Sequence, residues 1–177
     1  GGEAIDVTGA LDISVGYDTL SDCHDVGGGK NLQWKHDGSG FYFPVSSRGD
    51  TRLYSISIDG ADLIALTATG HELGSFSISN EGKAVAIQIS DWKMPSQIMV
   101  TAPGTIAHNW SSVSNHNSWL NDESPMQQPA EFTTRGNDGY EVHGWMITPP
   151  GFDETSTYPA VIYVHGGPAA QYGGASV

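Results

Sequence analysis

The chain has 177 residues, with 20 acidic against 7 basic side chains and a formal charge of −13. That balance excludes nucleic-acid binding of the usual kind, which neutralises phosphates with Lys and Arg, and docking to an anionic membrane surface. The single cysteine, Cys23, excludes an internal disulfide and points to a reducing, cytoplasmic compartment, and no apolar run approaches the ~20 residues that span a bilayer.

The chain begins Gly1-Gly2-Glu3 without a methionine, so its natural start is expected upstream. Glycine is abundant but lacks the three-residue period of collagen, which fits many short turns between strands. Ala10 to Val15 alternates like a strand, and Gly27-Gly28-Gly29 breaks the chain before the first clear unit.

Two segments then run in parallel. Leu32-Gln33-Trp34, a turn at His36–Gly40, Phe41–Val45, a polar loop from Ser46 to Asp50, Arg52–Ser57, a turn at Asp59-Gly60 and Leu63–Leu66 form the first. The second is Ser75–Ile78, the turn Asn80–Lys83, Ala84–Ile89, a polar loop from Ser90 to Ser96, Gln97–Val100 and the turn Ala102-Pro103-Gly104. The turn glycines Gly38 and Gly82 lie 44 residues apart, and Leu53 and Ile98 lie 45 apart. Such a period, holding four short strands, is the signature of a β-propeller blade. An all-β sandwich with two similar hairpin pairs is the alternative. Asp-Gly and Asn-Glu-Gly turns suit tight antiparallel connections, because Gly, Asn and Asp tolerate left-handed backbone. Two units do not close a ring, so further blades are expected upstream of Gly1.

Ser112 to Pro129 is rich in Ser, Asn, Gln and Pro and reads as a connector, with Trp119-Leu120 its strong apolar pair. A hairpin comes next: Glu131–Arg135, the turn Gly136–Gly139 and Tyr140–Thr148. Pro149-Pro150-Gly151 stops it, and a polar loop leads to Ala160–Val164, an unbroken apolar run of the kind a strand buried on both faces needs. That run ends at His165-Gly166-Gly167-Pro168. A buried strand stopped by a glycine turn is how an α/β-hydrolase offers a backbone N–H to the oxyanion of an acyl-transfer intermediate. The expected fold is therefore mostly β: a partial β-propeller over residues 1–110, a connector over 111–130, and the first strands of an α/β-hydrolase domain over 131–177.

At this point the sequence resembles the prolyl oligopeptidase superfamily of serine peptidases, in which a β-propeller precedes an α/β-hydrolase domain. The resemblance runs through Trp34…Asp37-Gly38, Leu53-Tyr54…Asp59-Gly60, Phe132…Asp138-Gly139…Gly144-Trp145…Pro149 and Tyr158-Pro159-Ala160…His165-Gly166-Gly167-Pro168…Gln171-Tyr172-Gly173. The propeller motifs are shared by many propellers. The ordered run from Asp138 to Gly173 is more specific. The His-Gly-Gly-Pro turn is similar to the acylaminoacyl-peptidase branch and its dipeptidyl-peptidase relatives, whereas the prolyl oligopeptidase and dipeptidyl-peptidase-IV branches carry a tyrosine where His165 stands.

The resemblance implies that the Gly167 N–H donates to the oxyanion, that His165 braces the turn or lines the site, and that the propeller limits access to short peptides. No cofactor and no metal are expected, and a homo-oligomer of the full-length protein is allowed. Gly-x-Ser-x-Gly does not occur, so the Ser, Asp and His of a triad are expected beyond Val177 and this chain is expected to be silent. Ser176 lacks the nucleophile frame, and His143 has no identifiable serine partner. The seven histidines show no metal-ligand spacing, and Cys23-His24-Asp25 is a contiguous trio rather than a ligand array. A propeller that binds peptide or protein without chemistry, and an esterase on the same scaffold, are the alternatives.

Overall fold

A computed structural model describes residues 3–20, 32–101, 110–123 and 126–174. It is mostly β. The strands are β1 (Ser14–Val15), β2 (Gln33–Trp34), β3 (Gly40–Ser47), β4 (Asp50–Ser57), β5 (Ile64–Ala65), β6 (Glu72–Ile78), β7 (Val85–Ser90), β8 (Gln97–Thr101), β9 (Ser111–Ser112), β10 (Ala130–Arg135) and β11 (Glu141–Met146), and one short helix, α1, spans Ser118–Glu123.

The repeat read from sequence is visible as two antiparallel meanders, β2-β3-β4-β5 and β6-β7-β8-β9. They join through one parallel pair, Thr51 with Glu72. Strand β1 takes the same edge of β3 as β2 does, further along, pairing Ser14 with Ser46 and Val15 with Val45. The turn glycines do what the pattern asked of them, with φ of 72° at Gly38 and 64° at Gly82. The stretch read as a polar loop from Ser46 to Asp50 is tighter than expected. Pairing runs to Ser47 and resumes at Asp50, leaving a two-residue turn in which Arg48 and Gly49 have φ of 52° and 82°. Two left-handed residues give the turn whose twist matches that of the flanking strands.

Each paired residue of β3 and β4 shares a face with its partner, so the hairpin has two distinct sides. One side carries Phe43, Val45 and Ile56, covered by Leu11, Ile13 and Leu63. The other carries Leu53, which joins Leu73, Phe76, Val85, Ile87 and Ile89 of the second meander in one buried cluster with Tyr17. The two meanders therefore share a core, in which Leu53 and Leu73 are both fully buried. In β7 the inward residues Val85, Ile87 and Ile89 alternate with half-exposed Ala86 and Gln88, the period of two expected of a strand with one core face.

Toward the β3–β4 turn that shared face changes character. Beyond Pro44 and Leu53 come Ser46 and Thr51, a cross-strand pair whose hydroxyls lie 2.8 Å apart. Buried Thr19 and Glu72 join them at this polar end of the core.

The hairpin β10–β11 forms as expected, its second strand ending at Met146, and is closed by Gly136 N–H to the Tyr140 carbonyl at 2.9 Å, with Gly139 at φ 85°. The run Ala160–Val164 does not behave as expected. It has no strand pairing, and Val161 and Ile162 are 93% and 89% exposed. Among the described residues no strand lies beside it, so its backbone groups and branched side chains have nothing to pack against. A buried-strand composition states a propensity; burial needs neighbours.

Candidate functional site

The segment 165–174 meets the sheet at the polar end of the shared core. His165 is half-buried, and its Nδ1–H donates to the Gly166 carbonyl at 2.8 Å, which bends the turn back on its own side chain. The His165 ring stands edge-on to Tyr172 at 5.4 Å, and Tyr163 stacks on the same Tyr172 ring at 5.4 Å and 21°. Gly167 is exposed. A Cβ there would lie 3.2 Å from the Ala169 nitrogen, whereas at Gly166 it would meet open space. Neither glycine takes a left-handed φ, so freedom at this turn is a matter of room at Gly167 rather than of backbone sign.

Gln171 is the residue that attaches this segment. Its backbone makes a parallel bridge with Thr19: Gln171 N–H donates to the Asp18 carbonyl at 2.9 Å, and Leu20 N–H donates to the Gln171 carbonyl at 2.8 Å. Its side-chain carbonyl accepts from Gly49 N–H at 3.0 Å, and its Nε2 donates to Thr19 Oγ1 at 2.9 Å and to the Asp50 carbonyl at 3.1 Å. Gly174 N–H adds a bond to the Gly49 carbonyl at 3.0 Å. On the other side of the same turn, Trp145 from β11 lies against Gly49, packs 5.7 Å from Trp92, and Arg48 reaches Glu141 at 3.1 Å.

Beside Thr19 and Thr51 lies Glu72, only 1% exposed. Its Oε2 has no hydrogen-bond partner among the described residues. Burial pushes its carboxyl up to about 7, and the nearby Asp50 charge adds to that; the Thr19 and Thr51 hydroxyls favour the carboxylate and only partly offset it. Asp50 is itself raised by burial, opposed by the Gly70 N–H, Arg52 and His71. Thr19 Oγ1 and Thr51 Oγ1 lie 3.1 Å apart, so a hydroxyl network runs from Ser46 through Thr51 and Thr19 to the Gln171 amide.

The residues predicted from sequence, His165 and Gly167, are brought together at one turn, and no serine or second titratable group stands within that turn. His143 pairs with Glu131 at 2.7 Å and lies edge-on to Trp145, away from His165. Among the described residues no group of His, Cys, Asp and Glu has the arrangement of a metal site. Cys23-His24-Asp25, Gly27–Gly29 and Ser176 lie outside the described residues. No described helix is long and apolar enough to cross a membrane. An open apolar cleft of about 390 Å³ between Trp92 and Ile147–Pro150 holds no titratable group. Gln171 falls within the motif resemblance without a role there, and Glu72 and Thr19 belong to no motif. The one available signal for Glu72 was a charged residue directly before the inward Leu73 of a core strand.

No family model matches the chain. It is similar to proteins named as peptidases. The uncharacterised peptidase YuxL of Bacillus subtilis is 26% identical over 167 residues, covering 94% of this chain and 25% of that protein. Dipeptidyl-peptidase 5 of Porphyromonas gingivalis is 25% identical over 137 residues, covering 77% and 19%. Dipeptidyl-peptidase 5 of Arthroderma otae is 23% identical over 151 residues, covering 81% and 20%. The chain thus spans about a quarter or less of the length of these relatives.

Proposed function

We propose that this chain is part of a serine peptidase of the prolyl oligopeptidase superfamily, with the two meanders as propeller blades and residues 131–177 as the opening of an α/β-hydrolase domain. The observation that carries this reading is continuity: one alignment to a peptidase covers 94% of the chain, through both the repeated meanders and the segment ending in His165-Gly166-Gly167-Pro168. The buried cluster shared by the meanders, which includes Leu53 of one and Leu73 to Ile89 of the other, supports the blade assignment. Two relatives named dipeptidyl-peptidase 5 favour release of dipeptides over the acylaminoacyl alternative. The lone Cys23 fits a reducing compartment such as the cytoplasm.

In this reading the Gly167 N–H is one of two donors to the tetrahedral oxyanion, and His165 braces the turn through its bond to the Gly166 carbonyl. The nucleophile, its histidine base and the second donor come from the polypeptide beyond Val177. The test is to sequence that polypeptide and treat the longer protein with a fluorophosphonate. A Gly-x-Ser-x-Gly after a strand, covalent labelling at its serine, and dipeptide release from short peptides are expected. Absence of that motif together with no labelling overturns the peptidase reading. Labelling with ester but no peptide turnover would assign an esterase instead.

A further inference from the structure

Among the described residues, no hydrogen bond ties residues 160–168 directly to the sheet. They are attached through the residues C-terminal to them. Only Ala169 and Ala170 separate Pro168 from Gln171, and Ala170 N–H folds back onto the Pro168 carbonyl at 3.0 Å. Tyr172, next in sequence, carries the rings of His165 and Tyr163. Whatever holds Gln171 and Tyr172 therefore holds the turn.

Gln171 is suited to that task by its chemistry. An amide side chain is acceptor and donor at once. Here its carbonyl takes the Gly49 N–H while its NH2 group gives one hydrogen to Thr19 and one to the Asp50 carbonyl. Both amide hydrogens and one lone pair of its oxygen are used, with partners from two separate elements: the β3–β4 turn and the segment 18–20. Glutamate would keep the acceptor and lose both donors. Asparagine is a methylene shorter and would not span the same atoms.

We propose that Gln171 is the positioning residue of the His165–Pro168 turn, registering it against the sheet through Thr19 and the Gly49–Asp50 turn. The catalytic consequence rests on the peptidase reading above; the mechanical one does not. Oxyanion donors act only when aimed at where the charge develops, and a displacement of about 1 Å far from the reacting atoms can cost on the order of 100-fold in rate. The backbone bridge to Asp18 and Leu20 and the Gly174–Gly49 bond hold the same segment, and the amide fork adds the side-chain contacts that fix its register against the Gly49–Asp50 turn.

Two measurements separate the claims. In solution NMR of residues 1–177, the amide residual dipolar couplings of 169–174 should fit the alignment of β3, β4, β6 and β7. In Gln171→Ala and in the isosteric Gln171→Glu they should depart from it while those strands keep their own couplings. Couplings of 169–174 that still fit in both variants, or that never fit in the native chain, overturn the clamp. In the longer polypeptide, both variants should lower kcat on a short peptide by about tenfold or more with KM within about twofold. A lowered melting temperature with kcat unchanged well below it overturns the positioning role and leaves a structural one. If the native longer polypeptide neither labels nor turns over peptide, the peptidase reading fails, and the couplings still decide the clamp.

Discussion

Trp145 lies over Gly49 so closely that a Cβ placed on Gly49 would fall 2.1 Å from the indole Cζ2. The same position has φ of 82°, its N–H donates to the Gln171 side-chain carbonyl, and its carbonyl accepts from the Gly174 N–H. One glycine thus joins the β3–β4 turn, the β10–β11 hairpin and the segment that carries the candidate site.

Gly49→Ala should therefore be costly on two counts, left-handed backbone and a ring that must move. We expect a loss of at least about 2 kcal/mol in urea denaturation. Gly139→Ala, where a Cβ meets open space at φ 85°, should cost less, because only the backbone conformation opposes it. Equal losses at the two sites would show that the Trp145 contact is not formed in solution.

Leu53 and the run Val161-Ile162 make a second contrast. Leu53→Ala removes a side chain at 0% exposure from the cluster shared by both meanders and should cost about 2–5 kcal/mol. Val161→Ser and Ile162→Ser, at 93% and 89% exposure, should each stay within about 0.5 kcal/mol in this chain. A large loss at either serine variant would mean that residues 160–164 are covered in solution.

Glu72 sets a pH dependence of definite sign. Its carboxyl titrates near 4.5 when unfolded and is pushed up to about 7 in the fold, chiefly by burial. Between those values the folded chain holds the proton that the unfolded chain has lost, so stability falls as pH rises from about 4.5 through about 7 and is level above it. Asp50, also raised by burial, acts in the same direction. Glu72→Gln removes the charge and keeps the shape. It should raise stability at pH 8 by up to about 3 kcal/mol and leave pH 4.5 little changed. Chemical denaturation at both pH values checks this; a variant less stable than the native chain at pH 8 would show that the carboxylate is paired there.

Thr19→Val tests the hydroxyl network from its other end. It removes the Gln171 Nε2 acceptor and a hydroxyl that favours the Glu72 carboxylate. Because the partners stay buried, the expected loss is about 1–3 kcal/mol, larger at pH 8 than at pH 5. A loss independent of pH would separate Thr19 from Glu72.

The strands, the 44-residue period, the left-handed glycines and the His-Gly-Gly-Pro turn are legible in the sequence alone, because each depends on neighbours within a few residues: alternation of apolar side chains, or backbone sterics at one glycine. What the tertiary structure decided is of another kind. Thr19 and Gln171 are 152 residues apart, and nothing periodic links them; only the fold brings the amide to the hydroxyl and to Gly49. The polar end of the core and the raised carboxyl of Glu72 arise where the two meanders join at the Thr51–Glu72 pair, which pattern does not encode. The exposure of Ala160–Val164 makes the same point in reverse: composition gave the run its propensity, and packing partners, which composition does not supply, decide whether it is buried.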